Sequence, residues 1–417
     1  MRRPRFKARA FIRTLNKSNN DEDIKSFIKK ISQKDTILDY SQLRIACFHF
    51  LLKALPKRST VATSTYTIFD MVNIIINAGH KPFFVDIDRN NLGPNISELI
   101  KLVESRSVQA VIYTHLHGYK ADLKILSETC KKNNCILIED CAQSLWNTTW
   151  DQSNNFIPGK YGDAAIYSSG FFKNVNTICG GFLAINNNSD YSKSIINSHK
   201  KLKPVINYDF LYRTIYGFLF KIVTSDLIFN FVLFPILKIS WRKNFVWMNK
   251  RAREENNPRY IHRDTRNILK MNVLQRFFLK FQSKNSLDRD YFKKSILAKI
   301  YLSELKELID KQIISIPGVK NSKEGYSLNG MSSFNQIPML AVNRKPLLDY
   351  LIAEGFDIAA QHIRNLSATS PYDIYQSTND KPVTREVVEK ILLLPCYPDY
   401  PKENVIDLCE NIKKFYL

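Results

Sequence analysis

The chain has 417 residues, with 61 Lys and Arg against 39 Asp and Glu, and a formal net charge of +22 at pH 7. This length is enough for a large domain and a smaller one with a substantial core. The positive charge suits an anionic membrane face, phosphate-rich substrates or nucleic acid. The sequence has no zinc-finger, RNP or basic-zipper signature, which excludes those nucleic-acid-binding classes. Seven cysteines without ligand-like spacing predict reduced thiols in a cytoplasmic compartment.

The first part of the chain is basic and polar. Residues 1–13 lack the apolar core of a secretory signal, so we expect a disordered or membrane-touching start there. Residues 18–37 are expected to be irregular or a short helix. Residues 40–55 carry apolar side chains at helical spacing and predict a helix.

Strand and helix patterns then alternate. Strands are predicted within residues 59–70, 81–88, 107–118 and 136–140, and helices within residues 71–79 and 122–133. This alternation of strands and helices predicts a parallel sheet with helices on both faces. Further on, the patterns predict helices at 271–282, 286–308 and 346–354, a strand within 332–342, and a closing strand and helix from the LPCYP motif onward.

The most informative stretch is residues 136–181. An apolar strand ends at Asp140, and Lys173 follows 33 residues later, before a Gly180-Gly181 pair. A carboxylate and a lysine that each follow a strand suit pyridoxal phosphate chemistry, in which the lysine forms a Schiff base and the carboxylate keeps the pyridine nitrogen protonated. Taken singly, an Asp at a strand end more often caps a helix and a Lys more often lies at the surface. The order of the parts favours the cofactor site.

Three motifs together resemble a known family. EDCAQS at 139–144, GDAAIYSSGFFKN at 162–174 and GG at 180–181 are similar to the DegT/DnrJ/StrS sugar aminotransferases, which are fold-type-I pyridoxal-phosphate enzymes. The resemblance implies an α/β fold, with a large domain built on a mostly parallel sheet and a smaller α+β C-terminal domain. The expected division is a basic and polar extension at 1–37, a large cofactor-binding domain at 38–207, an apolar and basic insert at 208–250, and a small domain at 251–417.

The resemblance also implies roles for individual residues. Lys173 becomes the Schiff-base lysine and proton shuttle, and desolvation would lower the pKa of its amine. Asp140 faces the ring nitrogen, Gln143 the ring face or its phenolic oxygen, and Ser168 the phosphate. The phosphate turn departs from the family because Leu43 stands where Gly is usual, so Arg44 and Ser41 are the remaining phosphate candidates there.

The other implied positions are less well matched. Ile68 occupies the place of the aromatic residue that stacks on the ring, and Asn267 lies one position from the Asn that reaches the phosphate across a dimer. Three residues are expected near the substrate: His115, His362 and Arg364. His115 and His117 have no third ligand nearby in the sequence, and Asp86 and Asp88 are interpreted as a turn at a strand end beside the pocket, so no metal site is predicted.

Residues 208–247 are unusually apolar. Their longest uncharged stretch has 11 residues, too few for a transmembrane helix. Tyr and Trp at the edges and flanking Lys and Arg are typical of helices that lie on an anionic leaflet. A dimer interface or a lid over the site is the alternative. The protein is therefore expected in the cytoplasm, either free or peripheral on the inner face of the membrane.

The function that the family implies is amino transfer from an amino acid such as glutamate to a nucleotide-linked keto sugar, for polysaccharide or glycoconjugate biosynthesis. Pyridoxal 5'-phosphate is the implied cofactor and a homodimer the implied assembly. Some relatives carry His at the lysine position and perform dehydration, so Lys173 favours transamination. Two alternatives stay open: an enzyme of the same fold that acts on a membrane-derived substrate, and a non-catalytic relative with a binding or regulatory role. Nucleic acid is not a predicted partner.

Overall fold

The computed structural model describes residues 23–144, 157–170, 173–205, 207–223, 225–243, 245, 258–280, 284–322, 325–328, 336–356, 358–360, 363–375 and 380–417. Within these ranges, the large domain is built on a sheet of seven strands in the order β1-β8-β7-β6-β5-β2-β4. The strands are β1 (Thr36–Tyr40), β2 (Thr60–Ser64), β4 (Lys81–Val85), β5 (Ala110–Thr114), β6 (Ile136–Asp140), β7 (Ala164–Ser168) and β8 (Gly181–Ile185).

The predicted parallel sheet is confirmed. Strands β4, β2, β5, β6 and β7 run parallel to their neighbours, whereas β8 is antiparallel to both β7 and β1. Most residues of the strands are buried, as expected when both faces of a sheet are covered. One face is covered by α2 (Leu43–Ala54), α3 (Phe69–Asn77) and α6 (Asp190–Lys200), and the other by α4 (Ile96–Glu104) and α5 (Lys124–Lys132).

The expectation for residues 18–37 is partly wrong. A short helix is present as α1 (Ile24–Ser32), but the residues that follow form strand β1, which pairs with β8. The partner strand lies almost 150 residues further along the chain, so local pattern alone does not reveal the strand. The predicted helix at 40–55 accordingly begins later, at Leu43.

The C-terminal domain is α+β, as expected. Its sheet has the order β13-β15-β12-β9, formed by β9 (Ile314–Ser315), β12 (Gln336–Ala341), β13 (Ala359–Ala360) and β15 (Ile391–Pro395), with a hairpin of β10 (Lys320–Ser322) and β11 (Gly325–Ser327). A two-stranded contact between β3 (Tyr66–Thr67) and β14 (Arg364–Asn365) joins it to the large domain.

Helices complete both regions. The insert contains α7 (Asn207–Val223), α8 (Asp226–Ile228), a π-helical turn (Phe229–Leu233) and α9 (Phe234–Arg242). The C-terminal helices are α10 (Val273–Lys280), α11 (Lys284–Glu304), α12 (Lys306–Asp310), α13 (Arg344–Glu354), α14 (Pro382–Lys390) and α15 (Lys402–Tyr416). Among the helices of the described residues, none is both long and apolar enough to cross a membrane.

Candidate active site

The candidate site lies at the carboxyl edge of the parallel strands. Thr114, the last residue of β5, is in register with Asp140, the last residue of β6, and Asp140 is in register with Ile166 of β7. Ser168 closes β7 two residues later. Because parallel strands end at the same edge, the residues that follow them meet there, which is where open α/β sheets bind ligands.

Asp140 is a buried carboxylate with few hydrogen-bond donors. Its Oδ1 accepts from the backbone N of Ala142 at 3.0 Å, and its Oδ2 accepts from the Thr114 hydroxyl at 3.4 Å. Burial raises the pKa of Asp140, although the Ala142 N–H and the positive charge of nearby Lys173 act in the opposite direction. A buried carboxylate that accepts so few hydrogen bonds is stabilised by an additional cation.

Lys173 lies on the loop between β7 and β8. The loop folds back on itself: Ser169 N donates to Gly180 O at 3.0 Å, Thr177 N to Ser169 O at 2.9 Å, and Lys173 N to Gly170 O at 3.0 Å. Lys294 of α11 donates to the Asn174 side-chain oxygen at 2.7 Å and ties the loop to the C-terminal part of the chain. The loop thereby holds Lys173 close enough to Asp140 for the two charges to interact.

Gly181, at the start of β8, meets the N-terminus of α2 closely. A Cβ atom at this position would lie 2.3 Å from the Leu43 backbone N and 2.4 Å from its Cα. Only glycine leaves room for this approach. Helix α2, at whose start the phosphate-turn candidates lie, is therefore packed directly on the strand that closes the Lys173 loop.

Gln143 and His115 are both held by neighbours at the edge. The Gln143 side-chain oxygen accepts from the backbone N of His117 at 2.8 Å. His115 is buried, its Nε2 lies 2.9 Å from the Glu139 carboxylate, and its Nδ1 has no hydrogen-bond partner among the described residues.

Glu139 organises the loop that precedes β7. Its carboxylate accepts from the backbone N of Gly159 at 2.6 Å, of Tyr161 at 2.7 Å and of Gly162 at 2.6 Å, besides His115. Burial raises the pKa of Glu139, but these donors outweigh burial and hold the pKa below its ordinary value. His115, Glu139 and Cys141 lie close enough to share a metal ion, yet the Glu139 oxygens are occupied and burial raises the pKa of the Cys141 thiol far above its usual value.

The phosphate-turn candidates lie around the start of α2. Ser41 is buried between β1 and α2, and its backbone N donates to Leu269 O at 2.9 Å. Arg44 forms an ion pair with Asp70, which Arg263 also contacts, at 3.0 and 3.1 Å. Burial, followed by the charges of Arg263 and Arg213, lowers the pKa of Arg44 to about 10. Two guanidinium groups on one carboxylate leave a net positive charge beside this helix N-terminus.

The remaining predicted residues fall in two places. Ile68 precedes α3 and is partly exposed, and Arg364 of β14 pairs with Thr67 of β3, so the structure brings Ile68 and Arg364 to the same region. Asn267 is exposed, and its side-chain oxygen accepts from Asp264 N at 2.8 Å. His362 lies outside the described residues.

Sequence reasoning missed three contributors to this region: Thr114, Glu139 and the pair of Asp70 with Arg263. Glu139 carried a usable signal, because an acidic residue inside an apolar strand next to Asp140 needs buried donors. The other contacts join segments far apart in the sequence, and no local pattern indicates them.

Comparison with known proteins is consistent with this arrangement. Residues 46–222 match the model of the DegT/DnrJ/EryC1/StrS aminotransferase family. A pleiotropic regulatory protein of Geobacillus stearothermophilus is 30% identical over 133 residues, which is 32% of this chain and 34% of that protein. A GDP-perosamine synthase of Vibrio cholerae is 28% identical over 130 residues, covering 31% of this chain and 34% of the synthase. The chain thus aligns with about a third of the length of these curated relatives.

Similarity of fold extends further. The structure of NtdA from Bacillus subtilis with bound cofactor PMP superposes with a TM-score of 0.65 at 16% identity, covering 94% of this chain and 76% of that one. The family match includes both Asp140 and Lys173, and the shared fold extends over nearly the whole chain. The chain is therefore similar to the DegT/DnrJ/EryC1/StrS aminotransferase family over residues 46–222, which are less than half of its length, and it shares the fold of NtdA over nearly its whole length.

Proposed function

We propose that this protein is a pyridoxal-phosphate-dependent aminotransferase that moves an amino group, from glutamate in this proposal, to a keto sugar carried on a nucleotide. The product would serve polysaccharide or glycoconjugate biosynthesis. The description of the matching family and the name of the GDP-perosamine synthase relative support this reaction class. A homodimer is the proposed assembly.

The observation that carries the proposal is the proximity of Asp140 and Lys173, whose charges interact at the carboxyl edge of the sheet. Asp140 is buried, burial raises its pKa, and it accepts only two of the hydrogen bonds described above, one at each carboxylate oxygen. A partner with a positive charge would therefore stabilise its ionised form. A protonated pyridine nitrogen is such a partner. Lys173, on the adjacent loop, supplies an amine at the same edge. The donor set therefore fits the ring end of pyridoxal phosphate.

When bound, pyridoxal phosphate supplies an aldehyde that amines can join and a ring that withdraws electrons. In the proposed mechanism, Asp140 keeps a proton on the ring nitrogen through its negative charge. The Nζ of Lys173 would hold the cofactor before substrate arrives and would then move a proton at the substrate carbon that bears the amino group. Gln143, fixed by the His117 backbone, orients the ring.

The phosphate group of the cofactor is proposed to bind to Ser168, Ser41 and Arg44. Ser168 closes β7 and its hydroxyl accepts from Gly170 N at 3.3 Å, which leaves the hydroxyl proton for an anion. Arg44 shares Asp70 with a second arginine, and the excess positive charge of this trio suits a phosphate. Asn267 is proposed for the phosphate contact across the dimer, and Ile68 for the position on the cofactor ring. His115, His362 and Arg364 are proposed for the substrate.

The test is an absorbance spectrum of the full-length protein with added pyridoxal phosphate, followed by borohydride reduction and peptide mapping. We expect a visible band in wild type and a covalent adduct on Lys173. Lys173→Ala should lose both signals, whereas Lys124→Ala, a change at an exposed lysine of α5, should keep them. An adduct of equal yield in Lys173→Ala would refute the assignment.

A second candidate is a non-catalytic binding or regulatory role. It is favoured by Leu43 at the usual glycine position, by the existing pairing of Arg44 with Asp70, and by the name of the Geobacillus stearothermophilus relative. The same spectrum separates the two, because this candidate predicts no band in wild type. An enzyme of the same fold acting on a membrane-derived substrate would instead show the band and require lipid for turnover. Location at a membrane is a separate proposal, carried by the insert.

A further inference from the structure

The helices of the insert turn their apolar side chains outward. On α7, eight large apolar residues are exposed: Tyr208, Leu211, Tyr212, Ile215, Tyr216, Leu219, Ile222 and Val223. They recur every three or four positions and therefore form one continuous stripe along the helix. Phe210 and Gly217 lie on the opposite side and are buried. The outer side of α7 is therefore apolar, whereas the outer side of a surface helix is usually polar.

The second helical run repeats this arrangement. Six exposed apolar residues, mostly four positions apart, follow one side of α8, the π-helical turn and α9: Leu227, Ile228, Phe231, Val232, Ile236 and Ile239. Leu227 is 72% exposed and Phe231 67% exposed. We call these fourteen residues of the two runs the apolar face. Exposed apolar side chains in this number mark an interaction site.

The protein holds both helices in this orientation. Phe210 packs against Ile178 and Cys179, and its ring lies 6.4 Å from that of Phe278. On the other run, the indole N–H of Trp241 donates to Asp349 of α13 at 2.7 Å, and Lys238 donates to Ala353 O. Since these contacts use the inner sides of the helices, they fix the apolar face toward the outside.

The charges around the apolar face indicate what covers it. Between residues 200 and 253 the sequence contains 11 Lys and Arg but only two acidic residues, Asp209 and Asp226. Exposed cations stand just before α7, at Lys200, Lys201 and Lys203, and at the end of α9, at Arg242 and Lys243. Cations beside an apolar helix surface, together with exposed tyrosines, match the boundary of an anionic bilayer.

A second copy of the chain fits this surface less well. A two-fold contact brings the same patch of each subunit together, so it would place two strongly cationic surfaces against each other. We propose that the apolar face docks on an anionic lipid bilayer, with both helical runs lying in the membrane surface. Neither run crosses the membrane, in agreement with the lengths of the described helices.

The experiment is flotation of the full-length protein with vesicles of phosphatidylcholine and phosphatidylglycerol, beside vesicles of phosphatidylcholine alone. Wild type should float with the mixed vesicles, and less so at high salt because screening weakens the attraction of the cations. Leu219→Ser/Leu227→Ser/Phe231→Ser should weaken binding about a hundredfold, at about fivefold for each partly inserted side chain. Arg242→Gln/Lys243→Gln should weaken it about thirtyfold, at about 1 kcal/mol for each cation.

Matched controls are Ile125→Ser and Ile374→Ser, which remove exposed apolar side chains outside the insert and should float like wild type. Wild type that stays in the bottom fraction with mixed vesicles would overturn the proposal. So would a triple variant that floats like wild type. If wild type is a dimer that the triple variant dissociates, and neither floats, the apolar face is an interface between copies. The borohydride adduct on Lys173 is independent of all these results, so the two proposals can fail separately.

Discussion

Replacing Glu139 by glutamine is expected to lower the free energy of unfolding by about 3–5 kcal/mol. The carboxylate is buried, and its two oxygens accept four hydrogen bonds, three from backbone N–H groups at 2.6–2.7 Å and one from His115 at 2.9 Å. Glutamine keeps one side-chain oxygen, but an NH2 group replaces the other oxygen. This NH2 group would face N–H donors, from which it cannot accept hydrogen bonds. At least two charge-assisted bonds, each worth about 1.5–3 kcal/mol, are therefore lost.

The assay is denaturant unfolding of wild type and Glu139→Gln, with Glu128→Gln as a control at an exposed glutamate of α5. We expect the control to unfold at the wild-type midpoint and Glu139→Gln to unfold at a clearly lower denaturant concentration. Equal midpoints for the two variants would refute the structural role of the Glu139 carboxylate.

The same residue gives a pH dependence with a defined sign. The pKa of Glu139 is lower in the folded protein than its ordinary value of 4.5. Its contribution to stability is therefore fully present above pH 4.5 and is lost as the pH falls through the folded-state pKa. Glu139→Gln should lack this acid-sensitive part, so the difference in stability between wild type and the variant should shrink as the pH falls below 4.5.

Three further changes test the packing around the candidate site. Asp70→Asn should destabilise the protein by about 3 kcal/mol in a denaturant titration, because it leaves two arginines without their carboxylate. Gly181→Ala should cost at least about 3 kcal/mol in the same titration, because the new Cβ would lie 2.3 Å from the backbone N of Leu43. Phe210→Ala should speed amide hydrogen exchange throughout α7, since it removes a buried anchor worth about 3–5 kcal/mol. Phe231→Ala, at an exposed position, should leave that exchange unchanged.

The parts of the fold that could be predicted are those with a local signal. Between residues 59 and 140, the local spacing of apolar residues indicates which segments are strands and which are helices. Their alternation predicts the parallel sheet that the structure shows. Strand β1 could not be predicted in this way, because TILDY becomes a strand only by pairing with Gly181–Ile185. The helix predicted for 286–308 is two helices, α11 and α12, which the apolar spacing does not distinguish.

The candidate site shows the same division. Asp140 and Lys173 were predicted because each follows a strand and their order is distinctive. The partner of Arg44 was not predictable, since Asp70 lies on another helix and only the packing of α2 against α3 brings them together. The link between His115 and Glu139 depends on adjacent strands in register, which a linear sequence does not display. The roles assigned to these residues stay predictions.

The insert and the candidate site meet at one short segment. Ile178 and Cys179 contact Phe210 of α7. The next residue, Gly180, closes the loop that carries Lys173 by accepting from Ser169 N, and Gly181 begins β8. The Gln275 amide of α10 donates to the Cys179 carbonyl and fixes this segment from another side. Close packing leaves little room for independent displacement, so a movement of α7 on a bilayer has to be accommodated at Ile178 and Cys179. Docking through the apolar face would therefore place Ile178 and Cys179, which precede β8 at the end of the Lys173 loop, directly behind the helix that meets the membrane.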